Sequence, residues 1–175
     1  MVLLHGPPAS GKDTITRELT RSDGRYRLFP RIKCGPGRTT GYRMVTDDQL
    51  AAIRATPGEV LWENHRYGAV YVIDRSHLAA MVNADLVPVL HLGQTDAVNA
   101  VTSGFPSARI LVVALTCPRG VAIQRMADRA TGDTEARLAA YDATSALSGA
   151  DLNLDTSGLM PAAAAALIDQ AVKFR

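Results

Sequence analysis

The feature that most constrains this chain is a glycine-rich turn set between an apolar run and a helix-forming stretch. Residues 2–5 are strand-sized and apolar, and residues 12–21 have a helical pattern. Between them runs Gly6-Pro-Pro-Ala-Ser-Gly11-Lys12-Asp13-Thr14. This is G-x-x-x-x-G-K after a strand and at the start of a helix, the context that makes the motif a phosphate-binding loop. Its glycines let backbone N–H groups turn inward as an anion nest, and the helix N-terminus adds its positive end. Lys12 then places an ammonium on the β- and γ-phosphates of a nucleotide. Nucleotide contacts are therefore expected from Gly6, Pro7, Ala9, Ser10, Gly11, Lys12, Asp13 and Thr14. Asp13 stands where the common pattern has Ser or Thr. It is read either as a Mg²⁺ ligand, alone or with the Thr14 hydroxyl, or as a charge that merely favours a helix N-terminus.

Strand-sized runs alternate with helix-length segments along the rest of the chain. Further strands are predicted at 26–29, 60–63, 67–73, 86–92, 110–115 and 152–154. Helices are predicted at 46–54, where Thr46 and Gln49 fit a capping box, and at 75–83, with Asp74 as N-cap. More follow at 118–130 with Pro118 at N1, at 134–147 and at 161–174. Residues 30–40 read as a loop, rich in proline and glycine. The runs at 86–92 and 110–115 lack alternation, as parallel strands covered on both faces do. The pattern predicts a three-layer α/β sandwich over a mostly parallel sheet, with a small antiparallel insertion in its middle.

Composition narrows the function classes. With 175 residues, 47% hydrophobic and 21% charged, the chain suits one domain with a real core. A net charge of +2 is too small for a polybasic nucleic-acid or membrane surface, so neither partner is expected. Of the 19 basic residues only Lys12, Lys33 and Lys173 are lysines. High-GC coding produces that bias, but it does not explain why the arginines gather at 25–43 and 119–137. Cys34 and Cys117 have no zinc or C-x-x-C spacing, and a reducing, cytoplasmic setting is the default. Neither a signal peptide nor a membrane span is expected.

The order of features resembles the guanylate kinase family of phosphate-loop kinases. Tyr42-Arg-Met-Val-Thr46 is similar to its Y-x-F-V-S segment, and Glu63 with Tyr67-Gly68 to its acidic residue and Y-G pair. Arg125, Arg129 and Arg137 fall where its arginine-rich lid lies. The family's T-T-R-x-x-R signature is absent, and the strand that normally ends in a guanine-contacting aspartate reads Leu90-His91-Leu92-Gly93. The G-K-D variant and Val89–Gly93 also resemble a relative, ribose 1,5-bisphosphate phosphokinase, whose acceptor has no base.

The resemblance implies a P-loop kinase fold over residues 1–175, with an acceptor-binding insertion at about 30–73 and a short helical lid at about 119–140. It implies ATP and Mg²⁺ as cofactors and a phosphorylated small molecule as acceptor, most simply a nucleoside monophosphate or an unusual nucleotide. Lys12, Arg125, Arg129 and Arg137 would act on the transferring phosphoryl group, since guanidinium groups stabilise its equatorial charge. Asp155 and Thr156 would edge the adenine. Arg31, Lys33, Arg38, Tyr42, Glu63, Tyr67 and His91 would receive the acceptor; Arg43 is a further candidate. Each has a plainer reading as surface charge, strand packing or a satisfied core histidine. A binding module that has lost catalysis is the other class considered, though such modules typically lose the phosphate loop. The chain is expected to be a monomer or a homodimer.

Overall fold

The computed structural model describes residues 1–128 and 134–174. A five-stranded parallel sheet has the order β2-β7-β1-β8-β9, made of Tyr26–Leu28, Val87–Leu92, Val2–His5, Leu111–Thr116 and Leu152–Asp155. Its residues alternate between two hydrophobic layers. Val2 and Leu4 of β1 pack with Ile15 and Leu19 of α1 (Lys12–Ser22) and Ile168 of α7 (Pro161–Lys173). Leu3, between them, packs on the other face with Leu78 of α3 (Arg75–Asn83) and Val98 of α4 (Thr95–Gly104). Both faces are covered, which is why these strands carry unbroken apolar runs. The expected mixed α/β architecture over a mostly parallel sheet is the one observed.

A second sheet, β4-β3-β6-β5, rises beside it: Arg43–Met44, Ile32–Cys34, Ala69–Asp74 and Val60–Arg66. It is mostly antiparallel, with β3 and β4 parallel. The stretch 30–40, read as loop, thus contains β3; a three-residue strand has too little pattern to be seen without its partner β6. The second strand of the hairpin begins at Ala69 rather than at residue 67. Tyr67 and Gly68 have φ 53° and 69° and form the turn, as a two-residue primed turn requires. The predicted capping box is present, with Gln49 N–H donating to Thr46 Oγ1 at 3.2 Å and Thr46 N–H donating to Gln49 Oε1 at 2.9 Å. It opens α2, Asp47–Ala55.

Other boundaries differ. Helix α4 went unpredicted because Thr, Asn, Val, Ser and Gly are weak helix formers. Its Ala97, Val98 and Val101 nevertheless face the sheet. Pro118 occupies the N-cap rather than N1 of α5, Arg119–Ala127, and α6 spans Thr134–Asp142. Asp74 stands at the N-cap of α3 without a capping hydrogen bond, because its buried carboxylate pairs with Arg43.

That pair ties β4 to the end of β6. Asp74→Ala should cost about 2–3 kcal/mol in denaturant unfolding, since it strands the Arg43 guanidinium. Asp74→Ser separates the two roles: a serine can cap a helix but cannot pair with Arg43. Stability restored by serine would mean that Asp74 acts as a cap.

Candidate functional site

The glycine-rich loop leaves β1 at a position only glycine tolerates. A Cβ on Gly6 would lie 2.4 Å from the Leu115 carbonyl oxygen, and its φ is +156°. Gly11, at φ 91°, is the N-cap of α1. Ala9 is left-handed at φ 64°, a conformation costing an L-residue about 1–2 kcal/mol. Lys12 Nζ donates to the carbonyls of Gly6 (2.6 Å) and Pro7 (2.8 Å) and lies 3.3 Å from Ser10 Oγ. The ammonium is thus held across the mouth of its own loop.

Lys12 and Asp13 open into a cavity of about 410 Å³, walled on the far side by the second sheet. Strand alternation chooses the wall. Arg31 and Lys33, Asn64 and Arg66, and Tyr71 line it. Ile32, Cys34 and Val72, one residue out of phase, form the small apolar cluster behind. Tyr42 and Tyr71 stack at 5.4 Å between centroids, inclined 59°. Arg31 lies 5.9 and 5.4 Å from these two rings, and Lys33 Nζ 5.6 and 5.7 Å. Burial pulls the Arg31 guanidinium below its ordinary pKa, while Tyr42 opposes the shift. Lys33 is 1% exposed and donates to the Arg38 carbonyl at 2.8 Å. Among the described residues, none of Arg31, Lys33, Arg38 and Arg66 is within ion-pair distance of a carboxylate.

At the junction of loop and wall, His91 Nδ1 is 3.5 Å from Asp13 Oδ1, and its Nε2 is 2.7 Å from Thr16 Oγ1. Burial pushes the imidazole pKa down to about 3, against the pull of Asp13, so the ring is neutral. The Asp13 carboxylate beside it is 45% exposed and faces the cavity.

The predicted residues divide clearly. Gly6, Lys12, Asp13, Arg31, Lys33, Arg38, Tyr42, Tyr67, His91 and Arg137 share this cavity. Glu63 does not. It lies one residue out of phase with Asn64, and Arg54 holds it by bonds of 2.9 and 2.5 Å, which lowers its pKa. Thr14 also points elsewhere, its hydroxyl 3.4 Å from Arg17, leaving Asp13 as the cavity-facing candidate for a metal. Arg125, expected on the phosphates, instead donates to Ala9 and Thr156. Asp155 receives the Ser157 amide at 2.8 Å, and Thr156 is buried beside the loop. Arg129 lies outside the described residues. Asn64, Arg66 and Gln94 also line the cavity and were missed. The parity of β5 against β6 places the first two, and that register is not written in β5 alone.

No protein-family model matches this chain, and no curated protein matches it in sequence. Solved structures do match. Guanylate kinase from Anaplasma phagocytophilum aligns over 99% of this chain and 84% of its own, with a TM-score of 0.61 and 11% identity. APE1195 aligns over 99% and 94%, with a TM-score of 0.55 and 15% identity. A sugar kinase from Janibacter sp. HTCC2649 aligns over 98% and 91%, with a TM-score of 0.49 and 16% identity. At such identities the likeness to the first two is a likeness of fold. No helix among the described residues is long and apolar enough to cross a membrane.

The placement of Glu63 is open to a pH test. Its folded pKa lies below the unfolded value, so the pair with Arg54 stabilises above about pH 4.5, and that contribution is lost as pH falls through the folded pKa. Glu63→Gln should therefore lower the melting temperature at pH 7 and converge with wild type in acid. A pH-independent difference would show that the charge pair is not what Glu63 contributes.

Proposed function

We propose that this chain is an ATP- and Mg²⁺-dependent small-molecule kinase transferring the γ-phosphoryl group to a phosphate-bearing acceptor. One observation carries the reading. A phosphate loop with its lysine opens into the same cavity as Arg31, Lys33, Arg38 and Arg66, which have no carboxylate partners among the described residues. Lys33 is buried and Arg31 and Arg66 are half-buried, and cations so placed without counter-ions favour an anionic ligand strongly, because the ligand supplies the charge that the protein withholds.

In this reading the loop amides and Lys12 hold the donor phosphates. Arg31 and Lys33, stiffened by the tyrosine pair, fix the acceptor phosphate across the cavity. Arg137, also on the cavity wall, adds positive charge where equatorial oxygens develop theirs. The residues fit a metal: Asp13 presents a carboxylate to the cavity beside Lys12, and Mg²⁺ held there would neutralise charge on the donor phosphates. A phosphate acceptor is already an oxyanion at neutral pH, so no general base is needed. Positioning of two anions, which repel each other in water, is the work these residues do.

A nucleoside monophosphate or unusual nucleotide leads as acceptor. A sugar bisphosphate is the second reading, favoured by the position of Glu63. With that carboxylate turned out of the cavity, four cations face the acceptor, and Asn64 is the neutral polar group offered on β5. Such a wall suits further phosphate better than the N–H edge of a base.

Purified chain should consume Mg·ATP with one member of a panel of nucleoside monophosphates and sugar phosphates. No Mg·ATP binding and no turnover with any member would end the kinase reading. Lys12→Ala should lower turnover by at least about hundredfold with the melting temperature unchanged. Asp13→Asn should raise the Mg²⁺ concentration needed for half-maximal rate; an unaltered requirement would reduce Asp13 to a helix-end charge.

A further inference from the structure

The Arg125 side chain joins three chain segments that are remote in sequence. It projects from the last turn of α5. One terminal nitrogen donates to the Ala9 carbonyl at 3.1 Å and to Thr156 Oγ1 at 3.0 Å, and the other to the Thr156 carbonyl at 2.6 Å. Thr156 is itself anchored, its amide and hydroxyl both donating to the Thr116 carbonyl at 2.9 and 3.1 Å. The guanidinium is therefore braced against the end of β8 on one side and grips the phosphate loop on the other.

The loop is gripped at its least comfortable residue. Ala9 is the non-glycine of the loop with a left-handed backbone, φ 64°. Such conformations persist when surrounding contacts over-determine them. A charge-assisted hydrogen bond to that carbonyl is a contact of the required strength. It also fixes the direction of the peptide dipole. The Ala9 carbonyl points to Arg125 and to Cys117 Sγ at 3.9 Å, among buried groups. Were that peptide to flip, a carbonyl oxygen would face the anion site and repel phosphate.

We propose that Arg125 is a positioning residue: it latches α5 and the 155–157 loop to the Ala9 carbonyl and so holds the phosphate loop open for anions before any nucleotide arrives. Three of its five N–H groups are directed at protein carbonyl and hydroxyl oxygens, so in the ligand-free chain it bears on phosphate through the loop.

The inference on binding rests on the nucleotide reading; the inference on loop order does not, and the two are measured separately. Hydrogen exchange is followed on the ligand-free chain for wild type, Arg125→Ala, Arg125→Lys and Thr156→Val. The amides of Gly6 and Ser10, which donate to the carbonyls of Leu92 and Pro7, should exchange roughly tenfold faster in Arg125→Ala, the factor that loss of about one hydrogen bond carries. The lysine and valine variants should fall between, while amides of β1 and β8 keep wild-type rates. Unchanged loop exchange in both Arg125→Ala and Thr156→Val overturns the latch, whether or not ATP binds. If Arg125→Ala does not fold, Thr156→Val, which leaves the arginine in place, decides the point alone. Calorimetry with Mg·ATP and Mg·ADP should show both weakened by a similar factor of about ten to a hundred in Arg125→Ala. Partial recovery is expected in Arg125→Lys or on adding guanidinium ion. Unweakened nucleotide affinity together with a lowered turnover number would place Arg125 on the transferring phosphoryl group and overturn the proposal. Absence of nucleotide binding in wild type would remove the kinase reading and leave the exchange result standing.

Discussion

The close approach of the backbone at Gly6 to the carbonyl of Leu115 is the constraint on which the site depends. Two central parallel strands run side by side, and the chain must leave one of them in a turn with no room for a side chain. That turn puts Gly11 at the head of α1 and brings Lys12 back over the carbonyls of Gly6 and Pro7. The shape of the loop is thus a consequence of strand packing, and backbone geometry brings the Lys12 ammonium to those carbonyls. The covered sheet behind supplies the rigidity, since its layers of apolar residues hold both strands in register.

The opposite wall obeys a different rule. A strand shows one parity of residues to each face, so β3, β5 and β6 divide their side chains between a cationic and aromatic face and an apolar one. Arg31, Lys33, Asn64, Arg66 and Tyr71 take the first; Ile32, Cys34 and Val72 take the second. A slip of one residue would bury the cations in the apolar cluster. The cost of doing so is what locks the register. The same parity removes Glu63 from the cavity, where it pairs with Arg54 on the far side.

Much of this was legible in the residues. The glycine-rich loop, the parallel runs, the capping box at Thr46 and the clustering of cations near 31–38 all have local signatures, because backbone turns and apolar runs are written in contiguous sequence. Helix α4 had no such signature, since its Thr, Asn and Ser residues are held helical by what Ala97, Val98 and Val101 pack against. Nor did β3, whose three residues become a strand by pairing with β6. Asp74 shows the same limit from another side: its position is that of a helix cap, yet an arginine from β4 takes its carboxylate.

The sequence by itself determined that the chain carries a glycine-rich turn with a lysine at the start of a helix, behind a strand of a covered parallel sheet. Those follow from conformational freedom at glycine and from hydrophobic pattern, both properties of neighbouring residues. Tertiary structure alone decided which charged residues share the cavity beside that turn. Arg31, Arg66 and Arg125 look alike as letters, but among the described residues the first two face the cavity without carboxylate partners, while the third donates to the carbonyls of Ala9 and Thr156. Charge is a property of the residue, whereas its availability to a ligand depends on which polar groups the fold brings within about 3 Å of it.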